Sequence, residues 1–183
     1  MKIKIISCSL HPQSRSFVLA KAAAHALAKQ HVDASIIDLR ELNLPFCDGV
    51  NAYDDPAAME IRANIDEADA VLLAVPIYNY DVNAAAKNLL ELGMRAWNNK
   101  IVGFLCAAGG RSSYMSVMSV ANNLMLDFRC VIVPRFVYAT GDDFGDDRLA
   151  TMNVSDVAVQ ARIEELATTT VAMTSALGPV LGE

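Results

Sequence analysis

Apolar residues fall into five short runs along the chain. Four runs, at 3–8, 70–75, 101–107 and 131–133, are nearly continuous in apolar side chains, whereas the run at 35–39 is weaker. Continuous rather than alternating hydrophobicity is typical of strands that are covered on both faces, as in a parallel sheet. The pattern therefore predicts five parallel strands.

The stretches between these runs carry apolar residues at helical spacing. In the first stretch, Val18, Ala22 and Ala26 follow one another four positions apart, which is the period of an amphipathic helix. The predicted helices are 17–29, 56–67, 84–95, 114–128 and 156 to about 177. Right-handed crossovers between parallel strands place helices on both faces of a sheet. We therefore predict an α/β fold, a flavodoxin-like doubly wound five-stranded parallel sheet of order 2-1-3-4-5.

Length, composition and charge narrow the class of protein. A chain of 183 residues with 54% hydrophobic residues can bury one core, so we expect a single domain over residues 1–183. The polar stretches 43–55 and 141–153 are predicted to be long loops that border a site. A net charge of −6 argues against a nucleic-acid partner.

The sequence contains no signal for a membrane or a metal site. Its N-terminal apolar run is too short for a signal peptide, and no stretch reaches the roughly 20 apolar residues of a membrane span. The four cysteines form no C-x-x-C pair and no cluster with histidine. We expect free thiols in a reducing cytoplasm, no membrane partner and no bound metal.

The segment after the first strand favours a phosphate site. Ligands of open parallel sheets bind beyond the carboxyl ends of the strands, and here Ser9, His11, Ser14, Arg15 and Ser16 follow the first strand. Hydroxyls beside the unpaired N–H groups and partial positive charge of a helix N-terminus favour a phosphate monoester. The alternative interpretation is that Ser14 or Ser16 only caps the helix.

Two further strand ends carry candidate binding residues. The third strand is followed by Pro76, Ile77, Tyr78 and Asn79, whose rings and amide suit a planar ligand but also form ordinary turns. Shortly after the fourth strand come the candidate residues Gly109, Gly110 and Arg111. Paired glycines allow close approach of a ligand to the backbone, or simply a tight turn. In a 2-1-3-4-5 sheet these ends are neighbours, so one shared site is predicted.

Over about residues 1–135, the order and spacing of these segments resemble the NAD(P)H-dependent FMN reductases. The family's motifs run roughly G-S-x-R-x-x-S, P-x-Y-N followed by L-K-N, and A-G-G. The matching positions here are Ser9, Ser14, 76–79, 87–88 and 108–110. The resemblance implies that Ser9, Ser14 and Ser16 hold the FMN phosphate, that 76–79 line the isoalloxazine, and that Gly109 and Gly110 meet its pyrimidine edge.

The resemblance also implies the reaction. NADPH or NADH would donate a hydride to FMN, which would reduce a small-molecule acceptor such as a quinone, an azo compound or free flavin. Because the flavin accepts the hydride, no catalytic side chain is predicted. A cation such as Arg111 beside the pyrimidine edge would stabilise the reduced flavin. Arg111 could instead bind a nicotinamide-cofactor phosphate or remain solvated.

The chain departs from the family pattern at three places. Cys8 stands where the family has glycine, His11 where it has arginine, and residues 83–86 replace a segment with proline and glycine. Loss of an arginine weakens phosphate affinity unless Arg15 substitutes for it, and FMN would then behave as a dissociable substrate. His11 alternatively is an exposed loop histidine.

Other functions and assemblies remain open from the sequence. The same fold serves a one-electron flavodoxin-like carrier or a flavin-binding redox sensor without reductase activity. Apolar positions that exceed one sheet-facing stripe predict a homodimer or homotetramer, although methionine also fills cores. These positions are Leu89, Leu92, Met94, Met115, Met118 and Met125.

Overall fold

A computed structural model describes residues 1–181, so the last two residues of the predicted domain lie outside the described part. The strands are β1 (Lys2–Ser7), β2 (Asp33–Asp38), β3 (Ala70–Tyr78), β4 (Asp81–Val82), β5 (Ile101–Ala107), β6 (Val131–Ile132), β7 (Val137–Ala139), β8 (Phe144–Gly145) and β9 (Asn153–Val154). The α-helices are α1 (Arg15–Ala28), α2 (Pro56–Asp66), α3 (Ala84–Gly93), α4 (Met118–Phe128) and α5 (Val157–Leu181). Short 3-10 helices span Asn51–Asp54, Met94–Trp97, Arg111–Val117 and Gly141–Asp143.

The main sheet confirms the predicted doubly wound topology. Its order is β2-β1-β3-β5-β6, and all of these neighbours are parallel. Two strands share the fifth position of the sheet. β6 pairs with the start of β5, and β7 pairs in parallel with its end. Pro134 lacks an N–H group and Arg135 has a φ of 58°, so the ladder is interrupted between β6 and β7. The predicted strand at 131–133 therefore covers only the first piece.

Apolar packing on the two faces of the sheet fixes the positions of the helices. On one face, Leu19 of α1 and Leu166 of α5 pack with Ile5 of β1 in one buried cluster. On the other face, Ile61 of α2 and Leu124 of α4 belong to a second cluster with residues of α3. The strands β3 and β5 between these layers are almost entirely buried. This burial on both faces explains their continuous apolar sequences.

Several element bounds differ from the predicted ones. β3 continues through Tyr78, so Pro76, Ile77 and Tyr78 belong to a strand rather than to the predicted loop. A hairpin returns from it into the antiparallel β4. The predicted helix 114–128 begins as a 3-10 turn and becomes α-helical at Met118. The predicted loop 141–153 contains the small β8–β9 ribbon.

Within residues 1–181, no helix combines enough length with enough apolar character to cross a membrane.

Candidate functional site

A cleft of about 400 Å³ opens at the carboxyl ends of β1, β3 and β5. This is the point where the connections of a doubly wound sheet diverge, and the volume lies within the roughly 300–1,000 Å³ of small-molecule sites. The cleft is lined by Ser9, Arg15, Ser16, Pro76, Ile77, Tyr78, Asn79, Tyr80, Ala107, Ala108, Gly109, Gly110, Ser112, Ser113 and Arg148. The three predicted segments therefore meet in one place.

Three predicted site residues, His11, Ser14 and Arg111, are not among the lining residues. Conversely, the cleft includes residues that were not predicted. Tyr80, Ser112 and Ser113 extend segments already singled out, and Ala107 and Ala108 precede the glycine pair. Arg148 lies in the loop 141–153, which was predicted to border a site without any particular residue being indicated.

One side of the cleft, the polar wall, is formed by Ser9, Arg15, Ser16 and Arg148. Ser16 is only 1% exposed, and its Oγ has no hydrogen-bond partner within residues 1–181. An unsatisfied buried hydroxyl costs about 1–3 kcal/mol. Together with the N-terminus of a 14-residue helix, this hydroxyl indicates a site for an anionic ligand. Ser16 therefore fits the predicted phosphate-binding role.

The hydroxyl of Ser14 is engaged differently. Its Oγ accepts a hydrogen bond from the N–H of Phe17 at 3.0 Å, so Ser14 is the N-cap of α1. His11 is exposed, and its Nδ1 accepts from the N–H of Gln13 at 3.0 Å. The N–H of His11 in turn donates to Ser9 Oγ at 3.3 Å. Both side chains thus stabilise the β1–α1 loop, and their predicted contact with phosphate stays a prediction.

Arg15 forms a bidentate pair across the end of the cleft. Its Nε and Nη2 donate to the two carboxylate oxygens of Asp147 at 2.8 and 2.6 Å. This hydrogen bonding holds the pKa of Asp147 below its usual range. Gly141 makes room for the guanidinium, because a Cβ at that position would lie 2.6 Å from Arg15 Nη2. The charge of Arg15 is therefore compensated within the protein.

The second group of lining residues, the aromatic wall, consists of residues 76–80, 107–110, 112 and 113. Asn79 and Tyr80 have φ angles of 51° and 64°, the left-handed pair expected in a two-residue hairpin turn. This turn leaves Tyr78 and Tyr80 exposed beside the cleft. The hydroxyl of Tyr80 lies 3.2 Å from Ser112 Oγ, which joins the two segments of the wall.

The glycine pair of the aromatic wall faces open space. A Cβ on Gly109 or Gly110 would meet no atom within 4 Å, so a planar ligand can approach this backbone closely. The hydroxyl of Tyr138 fixes the segment from behind by donating to the carbonyl of Gly110 at 2.6 Å. It also lies 2.6 Å from Ser113 Oγ. The backbone that faces the cleft is thus preorganised.

Arg111 turns away from the cleft. Its Nη2 lies 3.2 Å from Oδ1 of Asp143, and its side chain is 74% exposed. The buried carboxylate of Asp143 also accepts from the N–H of Thr140 at 2.7 Å. The Arg111–Asp143 ion pair connects the segment after Gly110 to the loop that follows β7. Its predicted electrostatic effect on a flavin stays a prediction.

Two residues of the second motif lie outside the cleft. The amide of Asn88 accepts from the N–H of Cys47 at 2.8 Å and donates to the carbonyl of Pro45 at 2.9 Å. Lys87 pairs with Glu91, 3.2 Å away. Both contacts stabilise α3 and the loop that packs on it.

Cys8, which replaces the family's glycine, is buried at the end of β1. Burial raises the pKa of its thiol, and nearby Asp38 raises it further, so Cys8 is an unreactive part of the core.

In the described residues 1–181, no three His, Cys, Asp or Glu side chains form a group that could hold a metal ion.

Comparison with known proteins identifies the class and then the family. The doubly wound sheet is shared with FerB, a flavoenzyme NAD(P)H:(acceptor) oxidoreductase from Paracoccus denitrificans. The TM-score is 0.74 at 17% identity, over 96% of this chain and 97% of that one. The fold therefore places the chain among the flavodoxin-like α/β proteins. Residues 1–144 match the family model of NADPH-dependent FMN reductases, and the chain belongs to that family.

Two relatives illustrate the membership. An NAD(P)H-dependent FAD/FMN reductase of Geobacillus thermodenitrificans is 28% identical over 139 residues, which cover 74% of this chain and 72% of the relative. An NADPH:quinone oxidoreductase of Arabidopsis thaliana is 32% identical over 103 residues, 52% of this chain and 50% of the relative. The family, the oxidoreductase class and the cofactors, FMN with NADPH or NADH, are confirmed as predicted.

Proposed function

We propose that this chain binds FMN in the cleft, takes a hydride from NADPH or NADH, and reduces a small-molecule acceptor such as a quinone, an azo compound or free flavin. The observation that carries the proposal is the buried, unpartnered Ser16 Oγ at the start of α1. It lies in the same cleft as the accessible backbone of Gly109 and Gly110. One cleft thus offers donors suited to a phosphate and a backbone surface suited to a planar ring.

The polar wall would hold the phosphate end of FMN. Ser16 Oγ can donate to a phosphate oxygen, and so can the N–H groups of the first turn of α1 other than that of Phe17, which Ser14 Oγ already accepts. Ser9 is 3% exposed and can add a second hydroxyl. These donors are already aligned by the helix, so little conformational freedom is lost on binding.

The aromatic wall would hold the ring system. N–H groups of Gly109 and Gly110 can donate to the polar edge of the isoalloxazine, while Pro76 to Asn79 pack beside the ring. FMN supplies the hydride-accepting chemistry when bound. The protein's part is to orient the ring and leave one face accessible. No histidine lines the cleft within residues 1–181, and this chemistry requires no protein nucleophile.

The assembly proposed is a homodimer or homotetramer of a single FMN-binding domain. Met115, Met118 and Leu126 on and before α4 are exposed, at 63%, 41% and 76%, and association would cover them. Leu89 and Leu92 do not contribute, because they are buried in the protein's own core.

The four cysteines are unpaired, which supports a location in the cytoplasm.

The test is a visible absorption spectrum of the purified protein after addition of FMN, followed by anaerobic addition of NADPH or NADH. Bleaching of the bound flavin, and steady oxidation of the donor once a quinone is added, are the expected results. Bleaching without sustained turnover with any acceptor would instead indicate a flavin-based sensor. A flavin that binds but that neither nicotinamide reduces would indicate a one-electron carrier.

A further inference from the structure

Three arginines approach the polar wall, and two of them are neutralised by carboxylates. Arg15 is held by both oxygens of Asp147. Arg40 pairs in the same bidentate way with the buried Asp38, behind the loop. A compensated guanidinium has little net charge to offer a dianionic ligand. The third arginine is Arg148.

Arg148 has no carboxylate within 4 Å in the part of the chain that the structure describes. It lines the cleft together with Ser9 and Ser16. Its Nη1 donates to the main-chain carbonyl of Gln13 at 2.5 Å, which fixes the guanidinium against the β1–α1 loop. This bond uses one of five N–H donors, so others are left for a ligand.

Arg148 comes from a part of the chain other than the segments that carry the resemblance. The family match covers residues 1–144, and Arg148 lies beyond it. Position 11, where the resemblance places an arginine, is occupied by a histidine whose Nδ1 already accepts from Gln13. The β1–α1 loop therefore contains no uncompensated arginine of its own. Arg40 also donates to carbonyls of this loop but is paired with Asp38. Among the described residues, the arginine that reaches the loop without a carboxylate within 4 Å, Arg148, comes from the connection between β8 and β9.

We propose that Arg148 is the residue that supplies positive charge to the 5′-phosphate of FMN, from a loop outside the family-matched segment. The inference rests on the proposed function, because it assigns the phosphate to the polar wall. A guanidinium donates charge-assisted hydrogen bonds to phosphate oxygens and is always charged. Arg148 takes the place that the resemblance gives to an arginine at position 11.

The test compares the dissociation constants of FMN and riboflavin, which differ only by the phosphate, using quenching of flavin fluorescence. Arg148→Gln should weaken FMN about tenfold or more while riboflavin changes less than about twofold, as expected for loss of a bond to a charged group. Arg148→Lys should recover most of the FMN affinity because it retains the charge. The salt dependence of FMN binding should also decrease in Arg148→Gln.

Lys29→Ala is the matched control, since it removes one positive charge near the far end of α1, where Lys29 pairs with Glu164. Lys29→Ala should leave the dissociation constants of both FMN and riboflavin unchanged. Equal weakening of both flavins by Arg148→Gln, together with a lower unfolding temperature, would reduce Arg148 to a loop contact and overturn the inference. A raised Michaelis constant for NADPH but not for NADH, with FMN binding unchanged, would assign it to the nicotinamide cofactor and also overturn it.

The wild-type protein separates this inference from the proposed function. If it binds neither flavin, the proposed function is wrong. If it prefers FMN over riboflavin and Arg148→Gln retains that preference, only the assignment of Arg148 is wrong.

Discussion

The two walls of the cleft are built by different means. Ser9 and Ser16 of the polar wall are almost fully buried, and ion pairs and N–H donors hold the segments around them. Tyr78 and Tyr80 of the aromatic wall are more than half exposed, and that wall is joined by hydroxyl contacts. Charged, bidentate contacts are stronger and more directional than neutral ones. The polar wall is therefore the more rigid of the two.

The difference corresponds to the two tasks of a reductase of this kind. The phosphate end of FMN does not react, so a rigid wall can bind it without hindering turnover. The ring end must be reached by a nicotinamide and then by an acceptor, which requires an accessible face. We therefore expect changes in the polar wall to alter the preference for FMN over riboflavin. Changes in the aromatic wall should affect both flavins equally.

The largest effect is expected for Ser16→Ala. Loss of a hydrogen bond to a charged phosphate costs about 1.5–3 kcal/mol, so FMN should bind about 10- to 100-fold more weakly while riboflavin is little affected. Ser14→Ala is the control, because Ser14 caps α1. It should lower the free energy of unfolding by about 1 kcal/mol, which a denaturant titration measures, and should leave the flavin preference unchanged. If Ser14→Ala removed the preference for FMN and Ser16→Ala only lowered the stability, the roles given to the two serines would be wrong.

The next effect concerns the pH dependence of stability through Asp147. Its pKa is depressed by Arg15, so its stabilising contribution is present above the ordinary value of about 3.9 and is lost as the pH falls through the lower, folded value. Asp147→Asn should remove this contribution, about 1 kcal/mol near neutral pH. The wild-type protein should therefore lose more stability between pH 6 and pH 3 than the variant.

Asp127→Asn, on the exposed surface of α4, is the control for the pH experiment. Its stability profile should follow that of the wild type. Identical acid profiles for the wild type and Asp147→Asn would show that the pair with Arg15 contributes nothing to folding.

A smaller effect is expected for Tyr138→Phe in the support of the aromatic wall. Removing the hydroxyl frees the carbonyl of Gly110 and costs about 1 kcal/mol, so FMN and riboflavin should both bind about fivefold more weakly. Tyr114→Phe is the control, since Tyr114 contacts the same cluster through its ring, which stacks on Phe136. If Tyr138→Phe weakened the binding of FMN but not of riboflavin, the phosphate would lie at the aromatic wall, which would contradict our assignment.

The smallest effect is expected for Tyr80→Phe, which removes only the exposed contact with Ser112. Exposed hydroxyl contacts contribute well under about 1 kcal/mol, so both flavin dissociation constants should change less than about twofold. A large loss of flavin binding would show that this contact supports the ring directly.

The sequence predicted those parts of the fold that depend on local patterns. The apolar runs located β3 and β5 because strands buried on both faces have almost no polar positions, and β1 was located although Lys4 interrupts its run. The fifth strand was predicted incompletely, because the backbone at Arg135 breaks its ladder. The strand end at Tyr78 was missed because exposed polar residues there resemble a turn.

The site was predicted where its residues are adjacent in sequence and missed where they come from distant segments. Ser9 and Gly109 belong to loops that follow strands, and Ser16 lies in the first turn of the helix after β1, so fold topology alone brings them together. Arg148 reaches Gln13, 135 positions away, and only the path of the chain creates that contact. The different roles of Ser14 and Ser16 depend on which hydroxyl meets the N–H of Phe17, and residue types do not encode this.

We infer that the two walls bind different ends of one flavin. The ratio of the riboflavin and FMN dissociation constants, measured in the wild type, Ser16→Ala and Tyr138→Phe, tests it most directly. We expect a ratio of about 100 or more in the wild type and in Tyr138→Phe, and a ratio at least about tenfold smaller in Ser16→Ala, which still retains Arg148. A ratio near one in the wild type, or a ratio that Tyr138→Phe abolishes and Ser16→Ala preserves, would contradict the account.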